Sequence, residues 1–177
     1  EPSVFEYTAL AGSLPGGVLE EGFVIPGYPG LSGSLTVGLS SGWKASLADG
    51  LYTILKYPYG STDQRAGFIS SLLFYGGTAE KQGFLGIERA GDLVNKEISR
   101  LSDIQREDGG FPFWPDGLGG SSAYATLRTA HALALAKKQG YSLPQELDIR
   151  KLLVFLDGVS RSRTNNPYLS VYALYCR

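Results

Sequence analysis

The chain has 177 residues, 43% of them hydrophobic and 19% charged, with a formal net charge of -1. That is enough apolar material for a packed core, which excludes a disordered or solvating segment. The near balance of charge, with no run of Lys or Arg, excludes nucleic acid or an anionic membrane as an electrostatically driven partner.

From the N-terminus, the opening EPSVFEY has neither a basic start nor an apolar h-region, so no signal peptide is expected and the sequence reads as a processed or internal piece. Up to about Gly42, glycine, proline and serine punctuate short runs such as GFVIP and SLTVGL. In the latter, Leu35, Val37 and Leu39 alternate with Thr36 and Gly38, the period of a strand, so residues 1–42 are expected to form a small β segment.

After Gly42 the period becomes helical. Trp43, Leu47, Leu51 and Leu55 recur every four residues and define a first helix with one apolar face. Ser61 or Thr62 is placed to cap a second, running to about Tyr75 and ended by Gly76 and Gly77. A third is expected from about Glu88 to Arg106, with Val94, Ile98, Leu101 and Gln105 on one face. A fourth starts at Ser121 or Ser122 and stops at Gly140, with Lys137 and Lys138 at the negative end of its dipole.

Pro144 opens a fifth near Gln145, reaching about Leu156. Asn166 followed by Pro167 starts a sixth, a polar cap with proline at the first helical position. Helices in series, with no alternation of strand and helix, predict a mainly α fold and argue against a parallel α/β sheet. The loop QREDGGFPFWPDG, Gln105 to Gly117, is expected to fasten its neighbours by burying Phe111, Phe113 and Trp114.

Few residues qualify for chemistry. The single cysteine, Cys176, and the single histidine, His131, cannot make a disulfide framework or a structural zinc site, so no metal is expected, and no motif asks for a cofactor. The apolar runs are too short to span a bilayer, so no direct membrane insertion is expected. His131 lies in the apolar run ATLRTAHALALA and reads as a packed, hydrogen-bonded core residue. Asp103, Glu107 and Asp108 read as solvated charges at a loop edge, against the alternative of paired glycosidase carboxylates. Tyr168, Tyr172 and Tyr175, spaced three or four apart, read as core packing before a binding face.

Two motifs carry a resemblance. The run YPYGSTDQ, Tyr57 to Gln64, resembles the thioester motif of the alpha-2-macroglobulin and complement family, in which an aromatic, Pro, Tyr and Gly lead into Cys-x-Glu-Gln. Tyr57, Pro58, Tyr59, Gly60 and Gln64 match it, whereas Ser61 stands in place of the cysteine and Asp63 in place of the glutamate. The loop with Gln105, Gly109, Gly110, Phe111 and Trp114 resembles the Gln, Gly-Gly and Trp signature of α/α toroids, including the thioester domain and, more distantly, terpenoid cyclases. The helix SSAYATLRTAHALALAKKQGY is similar to the thioester domain of the bacterial members.

The resemblance implies a particular architecture: an incomplete α/α toroid over residues 43–177, preceded by part of a CUB-like domain over residues 1–42. It also implies part of a broad-range protease inhibitor and not an enzyme. The implied partners are target endopeptidases and neighbouring macroglobulin domains of the same protein. The implied location is the periplasm, with a lipidated N-terminus outside this sequence as the inner-membrane anchor.

In the family the cysteine thiol condenses with the glutamine side chain to store an acyl group. A thiolate leaves readily, its thiol having a pKa of about 8.5, while an alkoxide is a far poorer leaving group. Serine at 61 therefore makes the motif degenerate and leaves trapping to noncovalent contacts. Ser61 lacks an adjacent base and reads instead as a helix cap, with Gln64 bonding locally. The alternative from another class is an α/α toroid enzyme using carboxylates on a sugar or isoprenoid substrate.

Overall fold

The chain divides into two compact units, Glu1–Gly38 and Leu39–Arg177. The computed structural model describes residues 16–18, 20, 22, 50, 60–81, 83, 85, 88–117, 119–162 and 166–177. The β segment, the first helix with its Trp43 stripe, and Tyr57, Pro58 and Tyr59 of the first motif lie outside the described residues, apart from a few isolated positions. What is described of the second unit is mainly α, with no strand among the described residues.

Among the described residues five helices follow in order: α1, Thr62–Lys81; α2, Ala90–Ser102; α3, Ala123–Lys138; α4, Ile149–Arg161; and α5, Pro167–Tyr175. Helix α1 packs against both α2 and α3, and α5 lies on α4 and α3. The core between them is built from Ile69, Leu72, Val94, Ile98, Leu127 and Leu133, with Phe111 and Leu156 closing it from the loop and α4.

Three boundaries differ from expectation. Gly76 and Gly77 do not end α1, which continues to Lys81. A Cβ on Gly76 would stand 2.4 Å from the Ala90 Cβ, so this glycine is the contact at which α1 and α2 approach closely. Helix interiors ordinarily disfavour glycine by roughly 1 kcal/mol, a cost set here against close packing.

Helix α2 is shorter than predicted, ending at Ser102, so Val94, Ile98 and Leu101 share the buried face but Gln105 belongs to the loop. Its start has no side-chain cap of its own; the Glu80 carboxylate of α1 accepts from the Ala90 amide instead.

Helix α4 begins at Ile149 and reaches Arg161, later at both ends than the Pro144 signal suggests. Pro144 opens only a turn, in which the Leu147 amide donates to the Pro144 carbonyl, and the true cap is Asp148, accepting from the Lys151 amide. Where cap chemistry is unambiguous the sequence and structure agree. Ser122 caps α3 through the Ala125 amide, and Asn166 caps α5 through the Tyr168 amide with Pro167 at the first position. Lys137 and Lys138 occupy the last turn of α3 as expected.

Candidate functional site

The two motifs meet. Thr62, inside the first, donates its amide hydrogen to the Phe113 carbonyl of the second at 3.0 Å, so the start of α1 hangs directly on the Gln105–Gly117 loop.

At that start, Ser61 and Gln64 bond reciprocally. The Ser61 amide donates to Gln64 Oε1 at 3.0 Å, and the Gln64 amide donates to Ser61 Oγ at 3.3 Å. This is a capping box, Ser-x-x-Gln, satisfying two amides that the helix leaves without internal partners. Ser61 is only 3% exposed, so its hydroxyl is both withheld from solvent and engaged by the backbone. The Arg65 guanidinium folds back over the turn, 3.4 Å from where a Cβ on Gly60 would be. Arg65 in turn pairs with the buried Glu97 of α2 at 3.1 Å, and Glu97 also holds Arg100.

Asp63 points the other way. Its Oδ1 accepts from Arg128 Nε of α3 at 3.2 Å. Burial alone would weaken the Arg128 charge, but the Asp63 hydrogen bond and the charge of that carboxylate hold its pKa above the ordinary value. Asp63, Gln64, Gly67, Ser70, Ser71 and Phe74 of α1, with Arg128, line an open cleft of about 480 Å³ whose one carboxylate is thus already neutralised.

The second motif is explained by close approach. Gly109 has φ +84°, and a Cβ there would stand 2.3 Å from the Lys151 backbone of α4. At Gly110 a Cβ would stand 2.5 Å from Ser121 and 2.7 Å from Phe155. Gln105 fastens the same junction from the side. Its Nε2 donates to the Gly109 and Asp148 carbonyls, both at 3.1 Å, while its Oε1 accepts from the Asp148 amide at 2.7 Å.

Phe111 is fully buried, and its amide donates to Thr126 Oγ1 of α3 at 2.8 Å. Phe113 and Trp114, expected to be buried with it, are instead 40% and 51% exposed and stack edge to face at 5.5 Å. The loop anchors through one aromatic and presents the other two, because its backbone bonds to α1 and α3 already fix its path.

The remaining candidates separate. Asp103, Glu107 and Asp108 are all exposed, as expected of loop-edge charges, and Asp108 in addition fixes the turn: its Oδ1 accepts from the Gly110 amide and the Ser121 hydroxyl. His131 is hydrogen-bonded but only half-buried, correcting its reading as a core residue: its Nδ1 lies 2.6 Å from the Tyr172 hydroxyl on α5. Tyr168 and Tyr175 are 65% and 72% exposed, so the tyrosine stripe is not core packing, and only Tyr172 is half-covered.

Cys176 donates towards the Leu127 carbonyl, and burial pushes its thiol up to about 11, leaving almost no thiolate near neutrality. Among the described residues no group of His, Cys, Asp and Glu could hold a metal ion, and no helix is long and apolar enough to cross a membrane.

No family model matches the chain. The alpha-2-macroglobulin of Escherichia coli (strain K12) is 38% identical over 96 residues, which are 51% of this chain and 6% of that protein. The crystal structure of native Escherichia coli alpha-2-macroglobulin, spanning domain MG7 to the C-terminus, superposes with a TM-score of 0.59 at 26% identity, covering 75% of this chain and 22% of that one. The chain is alpha-2-macroglobulin-like.

It spans only a small part of the length of either relative. Within this alpha-2-macroglobulin-like segment, sequence reasoning missed Arg128 as the partner of Asp63. The signal was present: Arg128 and His131, three residues apart, are the only titratable side chains between Tyr124 and Lys137, on a helix otherwise apolar or small. Arg65 with Glu97 was also missed, since a pairing across 32 residues leaves no periodic trace.

Proposed function

We propose that this chain is part of a bacterial broad-range protease inhibitor of alpha-2-macroglobulin type that captures proteases without a covalent bond. It is not an enzyme in this reading. Residues 43–177 would be part of the α/α toroid that carries the thioester in related proteins, and residues 1–42 part of a CUB-like domain. The periplasm is the proposed location, with a lipidated N-terminus outside this sequence as the anchor to the inner membrane.

One observation supports the reading above the others: Ser61 and Gln64 occupy the motif positions but spend their polar atoms on the helix start. An oxygen at position 61 cannot store an acyl group as a labile thioester, and the Gln64 carboxamide remains an ordinary amide. The motif Tyr57, Pro58, Tyr59, Gly60, Ser61, Asp63 and Gln64 then serves as a latch turn. The exposed Phe113 and Trp114 beside it supply an apolar surface for a neighbouring macroglobulin domain of the same protein. Cleavage of a segment elsewhere in the inhibitor would release that contact and close the trap.

The test uses the full-length protein. Challenged with an endopeptidase, it is expected to form a complex that dissociates in denaturant and shields the enzyme from large substrates but not small ones. Its intact mass is expected to be the same with and without methylamine. Absence of any complex or shielding overturns the inhibitor reading; a methylamine adduct at Gln64 overturns the noncovalent one.

A further inference from the structure

Helix α5 is nine residues long, too short to be stable by propensity alone, and Ala173 is its one fully buried side chain. What seats it on α3 therefore matters. The contact is polar as well as apolar. Asp63 of α1 holds Arg128 at 3.2 Å, Arg128 also reaches the Tyr172 hydroxyl, and that hydroxyl lies 2.6 Å from His131 Nδ1.

Arg128 is a permanent donor; when His131 Nδ1 is unprotonated, the Tyr172 hydroxyl donates to it and keeps its oxygen lone pairs for Arg128. The imidazole then carries its proton on Nε2. The His131 ring also meets Tyr172 and Tyr175 edge to face, at 5.7 and 5.4 Å.

We propose that Asp63, Arg128, Tyr172 and His131 form an acid-sensitive clasp that seats α5 on α3 at neutral pH and loosens it when His131 takes a proton. Protonated Nδ1 can no longer accept, so the Tyr172 hydroxyl must reverse its bond, and two cations, His131 and Arg128, then converge on one tyrosine oxygen. The new charge would also stand one turn from Arg128. The titratable and charged groups around His131 are Arg128 on its own helix and Tyr172 and Tyr175 on α5, with Asp63 behind Arg128 and Cys176 behind Tyr172.

Burial, and after it the Arg128 charge, hold the His131 pKa below the ordinary imidazole value. A depressed histidine contributes its full stability above about pH 6.5 and loses it as the pH falls from there through the folded-state value, because the unfolded chain then binds the proton more readily. The clasp also runs from the latch turn to the outer helix, since Asp63 lies between Ser61 and Gln64. It does not depend on what the protein inhibits.

Because His131 is the only histidine, its ring resonances in the 177-residue chain report the clasp without ambiguity. The expected midpoint lies below that of free imidazole. Asp63→Asn should lower it further by leaving Arg128 uncompensated, Arg128→Gln should raise it, and Tyr172→Phe should raise it by removing the bond to the neutral ring.

Amide exchange in α5, corrected for intrinsic rates, is expected to be severalfold faster at pH 5 than at pH 7.5, as the unfolded chain outcompetes α3 for the proton. In Tyr172→Phe that pH dependence should shrink while exchange at pH 7.5 rises. A midpoint at or above the free-imidazole value, α5 exchange independent of pH, or a midpoint that neither Asp63→Asn nor Arg128→Gln moves would each overturn the clasp.

Discussion

Helices α1 and α5 start alike and end up in opposite circumstances. Each opens on a polar cap whose side chain accepts from the backbone, Ser61 with Gln64 in one and Asn166 before Pro167 in the other. Yet α1 buries eight residues, from Thr62 to Ala79, between α2 and α3, whereas α5 leaves Tyr168, Val171, Leu174 and Tyr175 largely exposed. A cap fixes where a helix begins and contributes about 1 kcal/mol; it says nothing of how much of the helix will be covered. Both helices touch two others, so what separates them is how much of each is covered, and for α1 the covering neighbours are held by the second motif.

The contrast can be tested by removing that hold. Phe111→Ala empties the site that joins the loop to α3 and is expected to cost about 4 kcal/mol, read as a fall in the denaturant midpoint with α1 and α2 unfolding in the same transition. Gly109→Ala should cost on the order of 3 kcal/mol, from overpacking against Lys151 together with the left-handed φ. Gly76→Ala, which pushes α1 from α2 at Ala90, is expected to cost about 2 kcal/mol in the same measurement.

The caps come next. Ser61→Ala should lower global stability by about 1 kcal/mol, while Asn166→Ala, similar in local cost, should appear as faster amide exchange in α5 with the global midpoint little changed. The smallest effect is expected at Val171→Ser on the open face of α5, within about 0.5 kcal/mol by thermal melting. A large loss there would mean that α5 is as integral as α1, and the contrast would fail.

The motif turn shows how one sequence pattern serves two readings. Ser61-x-x-Gln64 matches the spacing of an acyl-storing pair and is also the spacing of a capping box, because both require the side chains at the first and fourth positions of a helix start to meet. The element at position 61 decides between them: the sulphur of cysteine can leave from an acyl group, and the oxygen of serine serves here as a backbone acceptor. The Asp63 pairing with Arg128 is a further consequence of the turn, since a carboxylate in the first turn of α1 is well placed electrostatically and lies against α3.

By itself the sequence determined the mainly helical character, the capped starts of α1, α3 and α5, the buried stripe of α2 and the Ser61–Gln64 relationship. These depend on residues within a turn or two of one another. Tertiary structure alone decided that Gly76 continues α1, that Gln105 leaves α2 to fasten Asp148, that Phe113 and Trp114 face outward, and that Asp63, Arg128, Tyr172 and His131 converge. Each of those outcomes depends on the distance between backbones far apart in the chain, where a missing Cβ or a distant carbonyl outweighs local propensity.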